Sequence, residues 1–461
     1  MSVAIKSAQG RGVLLATVLG SGMAFIDATA VNVALPALHE SLHADLATLQ
    51  WTLDAYLLFL GALLLVGGAL GDRYGRRRVF LIGVIAFSAA SVACGFAPNV
   101  HVLIAARAMQ GVAAALLVPG SLSIVRASYR VEDQPTAIGA WSGLSGVTSV
   151  IGPIVGGWMI TAWSWRAIFF LNVPLAIACI WVTLRHVPES RSERTGKLDF
   201  PGAVLATVGL GATVFALIEG PRGQHQQLAW GIGVLGVLAL IAFVLTERRS
   251  NHAMLPLDVF RSRQFSGANL MTLGVYAALS GSLFLLTLQL QTVLGYSPLA
   301  SGASFAPMTL LMLVLSPIAA KLGAKIGYQW PMVVGASVAG AGLVILSFAT
   351  GSGSYVTRVL PGVIVLGLGL SAMVAPLTTS VLQSVSEERS GLASGVNNAV
   401  ARIAGLLAIA VLPGAIGLHL GDRSGFEAGY QRGMWICACL CWLGAAVALF
   451  TVRPGRASTA A

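Results

Sequence analysis

Charge is what this chain has least of. Asp, Glu, Lys and Arg make up 10% of its 461 residues, where a soluble domain carries roughly 25%. A water-facing surface cannot be covered so sparsely, and a hydrophobic content of 56% places the chain in a bilayer. Acids are scarcest, 17 against 28 Lys and Arg, for a net charge of +11. That excess does not point to nucleic acid, because the basic residues are spread over short loops and not gathered on one face. Cysteine is also scarce. Cys94, Cys179, Cys437, Cys439 and Cys441 all lie in apolar runs, so no disulfide framework is implied. The spacing of the last three turns them about 200° apart at each step of a helix. They do not converge as metal ligands, and all five read as small buried hydrophobes. No G-x-x-x-x-G-K-[ST] sequence is present, which argues against direct use of ATP. No small-residue cleavage site follows the first apolar run, which is too long for a signal peptide and reads as an uncleaved span. No repeat of 20–50 residues is found.

What the chain has is apolar runs long enough to cross a membrane, each about 20 residues. They fall near 12–36, 50–70, 79–97, 101–125, 136–161, 166–184, 200–219, 228–246, 267–292, 301–321, 331–349, 356–383, 391–417 and 432–452. That is fourteen spans, which puts both termini on one side. With the amino terminus inside, twenty-one of the 28 Lys and Arg fall in inside segments and five outside. The asymmetry sets both termini in the cytoplasm. The remaining two, Arg107 and Arg402, lie within spans.

Ionisable groups inside a membrane are costly and are functional candidates by default. Asp27 sits near the middle of the first span with Asn32 beyond it. A lone aspartate in low dielectric is a proton carrier or a structural hydrogen-bond partner. Asp54 is expected about one turn inside the outer surface, as a receiver of protons or cations or as a wetted helix-start carboxylate. Arg107, followed by Gln110 and Gly111, is a fixed counter-charge or a tie between helices. The second bundle's spans contain no acid, which locates coupling in the first. His39-Glu-Ser-Leu-His43 matches the zinc-protease pattern H-E-x-x-H, but it follows Pro36 and is expected to enter an outer loop, without a third ligand.

Between the second and third spans lies Gly68-Ala-Leu-Gly-Asp-Arg-Tyr-Gly-Arg-Arg-Arg78. Its glycines allow close helix ends, and its arginines hold the loop in the cytoplasm. Pro317 to Gly327 keeps the glycines and positive charge of that loop in the second half, without the aspartate. The fifth span is rich in glycine, with Gly139, Gly143, Gly146 and the run Gly152-Pro153-Ile-Val-Gly156-Gly157.

The loop at 68–78 resembles the cytoplasmic loop signature of the major facilitator superfamily of secondary transporters. The run at 152–157 resembles the antiporter signature of its exporters. Gly139 fits a further glycine of that pattern, and Thr148 replaces another. The segments 27–36, 107–111, Trp165 to Pro174 and Gly391 to Asn398 follow in the family's order. With fourteen spans, the chain resembles the fourteen-helix drug:proton antiporter family, which includes multidrug and quaternary-ammonium exporters.

The resemblance implies an all-α integral membrane fold of two six-helix bundles, 1–197 and 251–461, joined by two extra transmembrane helices at 198–250. It implies a multi-pass protein of the bacterial cytoplasmic (inner) membrane, monomeric and without cofactor, whose partners are a small-molecule substrate, protons and lipid. Export would exchange protons for hydrophobic, cationic or otherwise toxic compounds through alternating access, with Asp27, Asp54 and Arg107 in proton coupling. Gly68, Asp72, Arg73, Gly75 and Arg76 would form a conformational latch meeting the helix that starts near Ser390. In the first bundle, Phe25, Asn32, Tyr56, Phe59, Gln110 and Trp141 are candidates for the substrate cavity, since aromatic faces attract organic cations. In the second they are Tyr276, Phe284, Gln289, Met373 and Asn397. A dedicated exporter of one metabolite, sugar or lipid would share this architecture. A passive channel fits the fixed Asp-Arg loop and glycine-bent helices less well, and it could not accumulate substrate against a gradient.

Overall fold

Inside a bilayer every backbone N–H and C=O must be satisfied within the protein, and an isolated apolar segment does this only as a helix. The computed structural model describes residues 3–192, 199–222, 226–250, 253–351, 353–386, 389–418 and 423–453. Among them fourteen helices are long and apolar enough to span a membrane. In chain order these are α1 (Ala8–Leu42), α2 (Leu46–Tyr74), α3 (Arg76–Gly95), α4 (Val100–Ser128) and α5 (Gln134–Ala162). Next come α6 (Asn172–His186, preceded by a short turn at Ala167–Phe170), α7 (Phe200–Glu219) and α8 (Gln226–Arg249). The remainder are α9 (Arg263–Leu288), α10 (Ala306–Ile326), α11 (Gln329–Ser347), α12 (Leu360–Gln383), α13 (Ser390–Ile416) and α14 (Arg423–Thr451). Helix starts carry the side-chain acceptors that exposed N–H groups require. Ser7 caps α1, Asp45 caps α2, Asn99 caps α4 and Asp199 caps α7.

The helices gather into two units, Met1–Met254 and Leu255–Ala461. In the first, α2 packs on α4 and α1 on α5. The α1–α5 seam is built by the glycine run. A Cβ on Gly152 would strike the Thr29 hydroxyl, and one on Gly156 would lie 2.8 Å from the Ala30 Cβ. By contrast, a Cβ on Gly139 would meet nothing within 4 Å. The 152–157 run is therefore the part of the motif that brings two helices together.

The inserted helices α7 and α8 belong to the first unit, and α7 lies along α2. Their contact ends in a polar clasp. Trp51 Nε1 donates to Glu219 Oε1 at 3.1 Å, Arg222 Nη1 donates to Glu219 Oε2 at 3.0 Å, and Arg222 also pairs with Asp45. Burial works to raise the Asp45 carboxyl, but hydrogen bonds from Thr48 and the Arg222 charge outweigh it and leave the group below the usual carboxylate range.

Several expectations need correction. Helix α1 runs on through Leu42, so His39 and Glu40 are helical, and His43 is the left-handed cap at φ 50°. His39 Nδ1 lies 2.6 Å from the Ala44 carbonyl, and His43 stands outside the helix that holds His39. Helix α14 begins earlier than its apolar run, so Glu427 stands in its second turn beside Arg423, at 3.8 Å. Cys439 is exposed, not buried. The expected boundary at 197–198 and the basic residues Arg194, Lys197 and Arg456 lie outside the described residues.

Candidate functional site

Asp27, read from the sequence as a proton carrier or a structural hydrogen-bond partner, is bound into a buried network. It lies on α1 facing α4, and its side chain and that of Arg107 are each only 1% exposed. Arg107 Nη1 donates to Asp27 Oδ2 and, at 2.8 Å, to Gln110 Oε1. Gln110 Nε2 donates to Asp27 Oδ1 at 2.8 Å, and Asn172 Nδ2 approaches the same oxygen at 3.4 Å. Arg107 Nε donates to the Thr52 carbonyl at 3.1 Å, and its guanidinium lies 4.4 Å from the Tyr56 ring centroid. The short approach of α4 to α2 makes this stacking possible, since a Cβ on Gly111 would sit 2.5 Å from the Tyr56 carbonyl oxygen. A buried charge needs both a partner and hydrogen bonds, and this network supplies both from four helices, α1, α2, α4 and α6. Asn172 is the member that residue-by-residue reading missed. It also bonds Ser91 Oγ at 2.9 Å, which ties α6 to α3.

Asp54 is the opposite case. It stands eight residues into α2, more than two turns and not one, because the helix starts at Leu46. It is 0% exposed, and neither carboxyl oxygen has a hydrogen-bond partner among the described residues. The reading as a wetted helix-start carboxylate therefore fails, and Asp45 fills that role. Trp51 and Leu58, one turn either side of Asp54, touch α7. The Trp51 ring is 6.3 Å from that of Phe215, and a Cβ on Gly211 would meet Leu58 at 3.4 Å. This places Asp54 on the α2 face that packs against the inserted helix.

The loop between α2 and α3 turns on Gly75, whose φ of 108° and ψ of 125° suit no side-chain-bearing residue. Asp72 Oδ1 accepts from Arg76 Nε at 2.8 Å. Arg73 lies against Tyr74, 5.5 Å from its ring centroid. Gly68 has room for a Cβ, 3.7 Å from that of Pro119, and the true close approach is next door, where a Cβ on Gly67 would strike the Ala115 carbonyl. Sequence reading also missed Glu189. Its carboxylate accepts the Arg77 and Arg78 N–H groups, both at 3.1 Å, and so caps α3 from a distant loop. The neighbouring Ser190 carbonyl accepts the Arg76 N–H at 2.8 Å, and the Asp72 carbonyl accepts the Ser192 N–H at 2.9 Å.

This arrangement of helices and glycine turn has known counterparts. The family model described as Major Facilitator Superfamily matches residues 17–409. The chain belongs to the Major Facilitator Superfamily. It is 36% identical over 405 residues to the multidrug resistance protein Stp of Mycobacterium tuberculosis (strain CDC 1551 / Oshkosh), covering 87% of this chain and 74% of the relative. It is 34% identical over 419 residues to the tetracenomycin C resistance and export protein of Streptomyces glaucescens, covering 89% and 76%. Among solved structures, a POT family transporter in complex with 5-aminolevulinic acid superimposes with a TM-score of 0.73 at 13% identity, over 97% of this chain and 98% of the other. That likeness is one of fold.

The other candidates sit at varied places in this Major Facilitator Superfamily chain. Tyr56 and Gln110 belong to the Arg107 network. Phe25, Phe59, Trp141 and Tyr276 are half-buried, and the Trp141 indole N–H has no partner among the described residues. Asn32 donates to its own helix at Ala28, 2.9 Å away. Phe284 and Met373 are wholly enclosed, Met373 packing against Gly335 of α11. Gln289 opens a π-helical turn that continues α9 and donates to the Ala349 carbonyl at 3.0 Å. Asn397 joins α13 to α9 through Thr272 at 2.8 Å and Asn269 at 3.2 Å. Pro153 and Gly157 are buried within α5.

Proposed function

We propose that this chain is a proton-coupled exporter of hydrophobic antibiotics or related toxic compounds in a bacterial cytoplasmic membrane. Its bundles would rock to expose the substrate path to one side at a time, with Asp72, Arg73 and Arg76 latching the cytoplasmic face. The names of its relatives, which concern drug resistance and export, support the substrate class. The observation that carries the coupling is Asp54, a carboxyl sealed in a membrane helix without a hydrogen-bond partner among the described residues. A bare charge there is expensive, so the group suits a proton taken up in one conformation and lost in another. Asp27 already holds Arg107 and Gln110, and it can take a proton only by giving up that pairing. Each entering proton would supply about 2.3 kcal/mol per 100 mV of membrane potential.

The test uses inverted membrane vesicles with an imposed proton gradient and a panel of lipophilic cations, acids and neutral drugs. Wild type is expected to release protons when substrate is added, and Asp54→Asn to abolish the release while still binding drug. Full coupling in Asp54→Asn together with loss in Asp27→Asn would return the proton to Asp27. A response to one compound only would favour the dedicated exporter.

A further inference from the structure

The buried network around Asp27 leaves one polar atom over. Asn172 stands at the start of α6 and is 1% exposed. Its Nδ2 donates to Ser91 Oγ at 2.9 Å and approaches Asp27 Oδ1 at 3.4 Å. Its Oδ1 is buried and has no hydrogen-bond partner among the described residues. A buried acceptor without a donor is rare in a folded protein. The other side chains bonded to Asp27 turn donors toward it. Arg107 has no acceptor to offer, and the Gln110 carbonyl oxygen is taken by Arg107 at 2.8 Å and by the Cys94 thiol at 3.6 Å.

A protonated Asp27 reverses the demand. It carries an O–H that needs an acceptor when buried, and the uncommitted oxygen belongs to an amide already in reach. Half a turn of the Asn172 amide exchanges its nitrogen and its oxygen. Ser91, whose hydroxyl donates to the Phe169 carbonyl at 2.8 Å, suits either orientation, since a hydroxyl both donates and accepts. One end of the amide goes unpartnered before and after, so the reversal costs little. With the proton on Oδ1, Asp27 Oδ2 still accepts from Arg107, which also keeps Gln110 and the Thr52 carbonyl.

Helix α1 packs on α2, α4, α5 and α6. The titratable groups that meet the network are Arg107 of α4, Tyr56 of α2 and Cys94 of α3. Helix α5 has no ionisable residue, and Cys179, Arg185 and His186 of α6 lie two turns or more from Asn172.

We propose that Asn172 is a positioning residue whose amide reverses when Asp27 takes up a proton, which makes Asp27 a second protonation site beside Asp54. The switch rests on the proton-coupled reading above.

The test is infrared difference spectroscopy on acidification of the reconstituted protein, with proton release in inverted vesicles as the second readout. Acidification should raise two carboxyl C=O bands, one lost in D54N and the other in D27N. N172L should displace the Asp27 band and leave the Asp54 band where it was. A lost hydrogen bond is worth about tenfold, or about one pH unit. The ionised Asp27 keeps Arg107 and Gln110, whereas the protonated form loses its acceptor. Half-maximal release should therefore need a pH about one unit lower in N172L. N172D should move it upward, because two adjacent carboxyls share one proton. A purely structural Asn172 would lower melting temperature and membrane level in both variants without opposite pH shifts. No Asp27 band in wild type, or a band unmoved in folded N172L, overturns the switch and leaves Asp54 coupling intact. If N172L does not reach the membrane, a midpoint that fails to rise in N172D overturns it. An Asp27 band that N172L displaces, with no Asp54 band, overturns the Asp54 reading and leaves the switch standing.

Discussion

The two units share a turn and differ in what surrounds it. Gly75 joins α2 to α3 at φ 108°, and Gly327 joins α10 to α11 at φ 91°. Both turns follow a helix end rich in glycine and positive charge. Around Gly75, Asp72 holds Arg76 and Glu189 caps α3, whereas the residues flanking Gly327 are Lys321, Lys325 and Tyr328, with no acid. The interiors differ in the same sense. The first unit encloses an Asp–Arg pair and the bare carboxyl of Asp54, and the second has an amide–hydroxyl ladder and Arg402. The backbone device is thus copied and the charges are not. A positive-φ glycine serves the fold in both units, while among the described residues the acids at the turn and deep within the spans are particular to one.

The largest test of that contrast is Arg107. Removing one partner of a buried ion pair strands the other, at about 3–5 kcal/mol. Arg107→Leu should therefore lower the melting point of the detergent-solubilised protein sharply, and adding Asp27→Asn should restore part of the loss. Arg402→Leu, at a half-buried position, should cost within about 1 kcal/mol. Equal losses from the two arginine variants would erase the difference between the interiors.

A second test compares the glycines directly. Alanine at either turn must adopt a conformation that costs about 1–3 kcal/mol. At Gly75 it would also meet the Glu189 carboxylate 2.8 Å away, so Gly75→Ala should lower both melting temperature and transport more than Gly327→Ala. In a Glu189→Ala background the gap should close, although loss of the cap adds about 0.5–2 kcal/mol of its own. A gap that survives Glu189→Ala would mean that Glu189 is not what distinguishes the two turns.

These pairings mark what the sequence could and could not disclose. Span number follows from length and hydropathy, because the bilayer imposes both. The glycine run at 152–157 was legible because close helix contact requires small residues at i and i+4. Glu189 was not legible, since it acts 112 residues from Arg77 and a loop carboxylate looks solvated in isolation. The pairing of Asp27 with Arg107 spans 80 residues and depends on how α1 meets α4. Asp54 turned on a helix start. Once Asp45 caps α2, the carboxyl nine residues later lies deep in the span. The close approach at Gly67 went unread because the loop pattern begins at Gly68, one residue and 100° of helical phase away.

The smallest effect concerns an ion pair outside the spans. Asp258 precedes α9 and pairs with Arg389, just before α13, both half-exposed. The hydrogen bond from Arg389 draws the Asp258 carboxyl below its ordinary value, and the Arg389 charge adds to this against a small opposing effect of burial. Because the folded-state value is the lower one, the pair contributes in full above the ordinary carboxylate value of about 3.9. Its contribution is lost as pH falls through the depressed value. Asp258→Asn should thus lower the melting temperature slightly at pH 7, and the difference from wild type should vanish in strong acid. Added salt should also shrink it, since exposed pairs are screened, while the buried Asp27–Arg107 pair should be nearly indifferent to salt. If the Asp258→Asn difference withstands both acid and salt, the Asp258 contribution is packing and not charge. The electrostatic contrast between the units would then rest on the sealed network of the first alone.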